Sequence, residues 1–398
     1  MDNEARNHGA VGALRMLKAR VRDYAMYIAL AVIFIIFGVF TEGIFLSPRN
    51  LTNLINQTGY VAVMAVAMTL VLIIRQIDLS VGYGAGFLGA IAAICMVRLD
   101  ISVWITIPLI LLLGTCTGLL QGIIIGKVGV PAFVTTLAFQ FIFRGLMSLV
   151  TSESGTIPID VQAFNNISNG FVPDIGNIGG MHALSLVVGL VAIVLMVISQ
   201  ILARRNKMHY NFKVPSTPAF TLKLLFMAAL IGAVAVVLAK YRGLPWTIVV
   251  VGVVVLAYNF LMEQTRLGRY IYGVGGNPEA ATLAGINVKK TLLFAFGSMG
   301  MMTALGGLLF ASRLQSASTT AGAGFELDAI ASCYIGGVST AGGIGRVTNT
   351  IIGALVIMSL TNGLNLMGVG IAYQYVIKGV IFVLAVAFDV LSRAKKDG

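Results

Sequence analysis

The chain has 398 residues, 58% of them hydrophobic and 11% charged, with a formal net charge of +12. Soluble globular proteins carry about 25% charged residues, so this charge density does not cover a water-soluble body. Disorder, which needs low hydrophobicity, is excluded by the same figures. The 46 glycines follow no Gly-X-Y period and suit membrane helices whose backbones approach closely.

At about 20 residues per span, the apolar segments in chain order are 26–45, 55–74, 81–97, 103–125, 132–150, 183–202, 224–239, 247–262, 292–312, 347–366 and 371–391. A twelfth, 327–338, is short and carries the glycine pair Gly336-Gly337 near its end. The expectation is an all-α polytopic membrane protein of about 10–12 transmembrane helices, counting this Gly-broken crossing. A basic arm, 1–25, with Arg6, Arg15, Lys18, Arg20 and Arg22, precedes the first apolar run. No small-residue cleavage site ends that run, so it reads as an uncleaved helix. Residues 26–391 are expected to form a single membrane unit, with 392–398 a charged tail.

Basic residues set the expected orientation. The N-terminal arm is placed in the cytoplasm, as are Arg204, Arg205, Lys207 and Lys213, and the loop 263–290 with Arg266, Arg269, Lys289 and Lys290. The loop after the fifth span, with Glu153, Asp160 and Asp174, counts as outside; Lys240 and Arg242 also fall outside, against the rule. If 327–338 crosses, Arg346 and the tail residues Arg393, Lys395 and Lys396 fall inside, so both termini are expected to be cytoplasmic. Irregular backbone at that depth must be buried or line a cavity. The +12 balance is thus a topology signal, and nucleic acid is not an expected partner. No internal repeat is evident.

Four stretches carry chemistry. In Gly268–Asn287, Asn277 suits a helix N-cap, Pro278 the first helical position, and Glu279 the positive end of the dipole. Ala280 and Ala281 favour helix and Gly285 ends it. A helix of about seven residues is marginal alone and must dock. Around Arg75, Asp78 and Ser80 lie at a span end, where each is either a functional polar group or a helix cap. Residues 327–354 contain Asp328 and several glycine pairs that allow tight turns and close packing. On 132–150, Phe139, Gln140 and Phe143 share about one helical turn. Aromatic faces beside an amide suit a sugar, and equally suit helix packing; Asn53 and Gln57 on the second span could add polar groups. Cys95, Cys116 and Cys333 lack metal spacing, and His8, His182 and His209 are scattered, so no metal and no catalytic residue is expected.

Together, 77–82, 131–145, 268–287 and 327–345 resemble the permease subunits of bacterial ABC importers for monosaccharides, the group of ribose, arabinose, galactose and xylose permeases. The extra hairpin 183–239 looks like the longer D-xylose and multiple-monosaccharide type. Arg75-Gln76 and Thr348-Asn349 depart from the usual family pattern. The resemblance implies a cytoplasmic (inner) membrane location and a homodimer of permeases. An extracytoplasmic binding protein would deliver sugar. An ATPase subunit would hold ATP and Mg and dock on Arg269, Gly275, Gly276, Asn277, Pro278, Glu279, Ala280, Ala281 and Gly285. Asn53, Gln57, Asp78, Ser80, Phe139, Gln140, Phe143 and Asp328 are candidates for the sugar pathway. The chain holds no Gly-x4-Gly-Lys-[Ser/Thr], since Val128 follows Gly126-Lys127, so no nucleotide cofactor is expected on it. The rival reading is an ion-coupled secondary transporter, which needs intramembrane acids paired with cation or proton sites; intramembrane charge is sparse here, with Asp78, Arg144, Asp328 and Lys378 the main candidates. A membrane enzyme would need clustered His, Asp, Cys or Ser, which the sequence does not offer.

Overall fold

The computed structural model describes residues 26–152, 155–210, 212, 214 and 217–397. The basic arm, Glu153, Lys213 and the side chains of the charged tail lie outside the described residues. Fifteen helices organise the rest. The first five are α1 (Met26–Phe40), α2 (Pro48–Ile73), α3 (Val81–Val97), α4 (Val103–Ile123) and α5 (Ala132–Thr151). Next come α6 (Gln162–Asn169), α7 (Ala183–His209), α8 (Thr217–Ala239), α9 (Trp246–Gln264) and α10 (Arg266–Gly276). The last five are α11 (Pro278–Leu283), α12 (Val288–Leu314), α13 (Phe325–Ile335), α14 (Val347–Leu366) and α15 (Ile371–Asp397). Eight are long and apolar enough to cross a membrane, and α1, α3 and the apolar part of α15 are shorter. These correspond to the eleven segments read from hydropathy.

Burial ranks the helices. The apolar part of α2 is 83% buried, whereas that of α7 is 6% buried. Thus α2 is the central post, hydrophobic all round because it faces protein on every side. The α7–α8 hairpin stands at the periphery, its two helices packed on each other through Gly189 and Ala235.

An inverted repeat, not evident in the sequence, dominates the packing. A long helix, an unwound segment and a shorter helix occur twice: α2, residues 74–80 and α3; then α12, residues 315–324 and α13. The halves exchange partners: α12 packs along α3 and α4, while α2 packs along α13 and α14. The long helices run antiparallel, since Tyr60 and Met64 meet Gly306 while Ile73, at the end of α2, lies against Gly275, on the side where α12 begins. The first turn of α3 meets the second unwound segment at Gly82 and Gly322. A Cβ on Gly322 would lie 2.0 Å from the Gly82 carbonyl oxygen, and Gly322 also takes a positive φ of 86°. Only glycine tolerates both conditions. The crossing is at mid-depth, because Tyr60, halfway along α2, stacks at 4.7 Å on Phe325 at the start of α13.

This geometry explains the short twelfth segment. With 11 residues, α13 rises only about 16 Å, half of a hydrocarbon core about 30 Å thick. The chain completes the crossing as unwound backbone, which is sheltered between α2, α3 and α12 as irregular structure at this depth requires. At one end of the molecule, β1 (Thr156–Pro158) pairs antiparallel with β4 (Ser316–Ser318), with Ile157 opposite Ala317. A two-residue hairpin, β2 (Asn177–Ile178) with β3 (Met181–His182), leads into α7. At the other end lie α10, α11 and residues 339–346.

Candidate functional site: a capped surface helix and the polar groups behind it

The stretch 268–287 folds into two helices rather than one. The glycine-rich run that reads as loop is α10, started by Thr265 Oγ1 accepting from the Gly268 amide at 3.3 Å. The short helix is α11, six residues against the seven expected. Asn277 Oδ1 accepts from the amides of Glu279 and Ala280, both at 3.0 Å, and Gly285 ends the unit at φ 82°. Ala281 faces inward, whereas Glu279, Ala280 and Leu283 face out. Leu283 is 90% exposed.

Behind α11 is a backbone knot. Arg75, in the left-handed region at φ 62°, donates from Nε to the Gly275 carbonyl at 2.7 Å, and its Nη2 bonds the Gly276 carbonyl. A cation there complements the negative end of α10. The Gly343 amide donates to the Ile73 carbonyl at 2.8 Å, and Tyr272 donates to the Gly345 carbonyl at 2.8 Å. Burial pushes the Tyr272 phenol above its ordinary pKa, with Glu263 adding to the effect. Of the remaining coupling candidates, Arg269 and Gly276 are exposed and Gly275 is buried in the knot. The unusual Arg75 therefore serves as a latch between the end of α2 and the surface helices.

The eight pathway candidates fall into separate places. Asp78, 3% exposed, closes a turn ahead of α3 and bonds no helix amide: its Oδ1 accepts from the Ser80 amide at 2.8 Å and from Ser80 Oγ at 2.6 Å, and Ser80 is the N-cap position, without a side-chain cap bond. Gln121 Nε2 donates to Ser80 Oγ at 2.9 Å. Phe139 and Phe143 pack against α3, Phe143 stacking on Phe87 with centroids 5.8 Å apart. Gln140 reaches the other way, to Glu326 Oε1 at 3.4 Å. Asp328 is paired with Lys378 of α15 at 2.9 and 3.0 Å. Asn53 is exposed on α2. Gln57 accepts from Asn362 Nδ2 at 3.4 Å, and Asn362 exchanges two bonds with Asn50, at 2.9 and 3.2 Å.

Sequence reasoning missed Glu326, Asn50 and Asn362. Glu326 is buried beside the glycine crossing, and its Oε2 has no hydrogen-bond partner. The signal was a carboxylate two residues before Asp328 in an apolar segment. Asn50 and Asn362 each lie in polar-flanked helix ends and carried no spacing signal. Among the described residues, no group of three His, Cys, Asp or Glu could hold a metal ion.

A family model described as branched-chain amino acid transport system / permease component matches residues 50–386. The chain belongs to this permease family. The permease is 37% identical over 382 residues to the xylose transport system permease protein of Haemophilus influenzae, covering 96% of this chain and 99% of that one. It is 35% identical over 387 residues to the xylose transport system permease protein of Escherichia coli K12, covering 97% and 96%. It is 33% identical over 372 residues to the ribose import permease protein of the same organism, covering 94% and 95%. No solved structure matches. The permease is thus a multi-pass protein of the cytoplasmic membrane and a transport subunit, not an enzyme.

Proposed function

We propose that this permease forms the membrane passage of an ATP-driven importer for a monosaccharide, with D-xylose the first candidate. The near end-to-end similarity to xylose permeases carries this reading. Ribose is the second candidate sugar, from the lower similarity to the ribose permease. Two copies enclose the passage and an extracytoplasmic binding protein hands over the sugar. Both termini and the α10–α11 face are cytoplasmic, and a separate ATPase, holding ATP and Mg, docks on α11. The exposed Leu283 beside Glu279 supports that docking. Asn53, Gln57 and Asn362 supply hydrogen bonds along α2, and Gln140 with Glu326 does so at mid-depth. Asp78, Ser80, Asp328, Phe139 and Phe143 act by holding the helices that shape the passage.

The test is uptake into proteoliposomes containing the permease, its ATPase and its binding protein. Labelled D-xylose should accumulate only with ATP, ahead of ribose, glucose and galactose. Uptake that ignores ATP and collapses with the proton gradient would replace this reading with a secondary transporter.

A further inference from the structure

Arg144 is an intramembrane charge that neither the passage nor the coupling face has yet used. At 1.5 Å per residue it lies about 18 Å along α5 and about 10 Å short of its end, well inside the span. The residue is exposed, and among the described residues it enters no ion pair. Its guanidinium lies over the ring of Tyr83, 5.6 Å from the centroid. Tyr83 follows Gly82 at the glycine crossing, so the charge is drawn to a protein surface beside that crossing. Long cations near helix ends instead run out to the headgroup layer. A cation at this depth turns to an opposite charge or to water, not to hydrocarbon.

The rest of α5 shows which of these it meets. Gln140, Arg144 and Ser148 recur every four residues and so share one flank of the helix. Gln140 is half-buried and donates to Glu326 Oε1 at 3.4 Å; Ser148 is exposed. Phe143 and Met147 turn to α3, against Gly84 and Gly86. Ile142 and Leu149 lie on the flank away from Arg144, where the exposed side chains are purely apolar, as lipid contact requires. Thus α5 has a packed side, a lipid side and a polar side. An acid from a second copy would be the opposite charge, and the described acids of the spans do not offer one. Asp78, Glu326 and Asp328 are all buried, and Asp328 is already paired with Lys378. Water is left.

We propose that the Gln140–Arg144–Ser148 flank of α5 lines the aqueous passage and that Arg144 contacts the cargo there. A guanidinium carries five donors and no acceptor, so it holds a neutral sugar through its hydroxyl oxygens, while the Gln140 amide and the Ser148 hydroxyl can also accept. The inference rests on the sugar importer reading above and deepens it, adding the residue and the helix face that meet the cargo.

The experiment uses the full permease with its ATPase and binding protein in proteoliposomes, under ATP turnover, so that the passage opens to each side in turn. Arg144→Cys and Ser148→Cys are treated with a charged, membrane-impermeant methanethiosulfonate. Ile142→Cys is the lipid-facing control, and wild type gives the background of Cys95, Cys116 and Cys333. Both polar-flank variants should react at least tenfold faster than the control. Ser148→Cys keeps the cation, so it reports on the flank even where Arg144→Cys fails to assemble. Arg144→Met should lower D-xylose uptake at least tenfold with ATPase co-purification unchanged, and Arg144→Lys should recover part of the loss. Reaction of Ser148→Cys no faster than that of Ile142→Cys, or uptake by Arg144→Met at the wild-type rate, overturns the proposal. ATP-driven wild-type uptake with an unreactive polar flank removes this proposal and leaves the importer reading standing. ATP-independent uptake that still needs Arg144, with a reactive flank, does the reverse.

Discussion

Two adjacent glycines should behave oppositely when changed to alanine. A Cβ on Gly275 would lie 1.9 Å from the Ile73 carbonyl oxygen and 2.7 Å from the Gly343 amide nitrogen, both backbone atoms, whereas a Cβ on Gly276 meets nothing within 4 Å. To restore contact distance, α10 must retreat by about 1 Å. If the loop moves with it, the Gly343-to-Ile73 bond, now 2.8 Å, stretches to about 3.8 Å and is lost. Overpacking costs about 1–3 kcal/mol, and a lost hydrogen bond about 0.5–1.5 kcal/mol. Gly275→Ala should therefore destabilise the knot behind α11 by about 2–4 kcal/mol. Gly276→Ala should be neutral or slightly favourable, since alanine is the better helix former. The assay is the temperature at which half of the purified permease stays monodisperse, followed by ATP-driven uptake. Gly275→Ala should lower both readings. Matching behaviour of the two variants would refute the backbone contact on which the reasoning rests.

Lys378→Met should destabilise the permease by about 3–5 kcal/mol, because it strands the largely buried Asp328 carboxylate, whose side chain is 11% exposed. Adding Asp328→Asn should recover much of the loss in a double-mutant cycle; singles that merely add up would mean the two groups do not pair. Asn277→Ala removes both cap bonds of α11 and should cost about 1 kcal/mol locally, seen as weaker ATPase co-purification, with Asn277→Asp close to wild type. Asp174 accepts from the amides of Leu184, Ile175 and Ala183, which holds its carboxyl below the ordinary carboxylate value. A depressed folded pKa means that its contribution is complete above the unfolded value, about 3.9, and fades as pH falls through the lower folded one. Pepsin cleavage within 174–184, normalised to an unstructured peptide, should rise as pH drops below about 4 in wild type. In Asp174→Asn it should stay flat.

Hydropathy made the spans legible, because lipid demands long apolar helices whatever their neighbours are. The caps of α11 were equally legible, since Asn277, Pro278 and Gly285 act on backbone only a few residues away. Long-range geometry was not. Asp328 and Lys378 each stand out as intramembrane charges, yet 50 residues and the whole of α14 separate them, and no local pattern signals the pairing. Phe139 and Phe143 carry the same spacing whether they face a ligand or Phe87, so only the position of α3 decides. The repeat is hidden for a related reason. Its signature is an exchange of packing partners between halves, and the one contact that fixes it lies between two glycines, which have no side chain to read.

The half-length of α13 bears on how the chain is built. A segment of 11 helical residues is too short to span lipid by itself, and the non-helical backbone before it finds partners only within the folded chain, residues 316–318 in β1. Its shelter is supplied by α2 and α3, more than 200 residues earlier in the chain. Membrane integration of the second half therefore waits on a scaffold laid down by the first. A nascent chain halted after α12 would hold an open slot, which only the arrival of α13 closes.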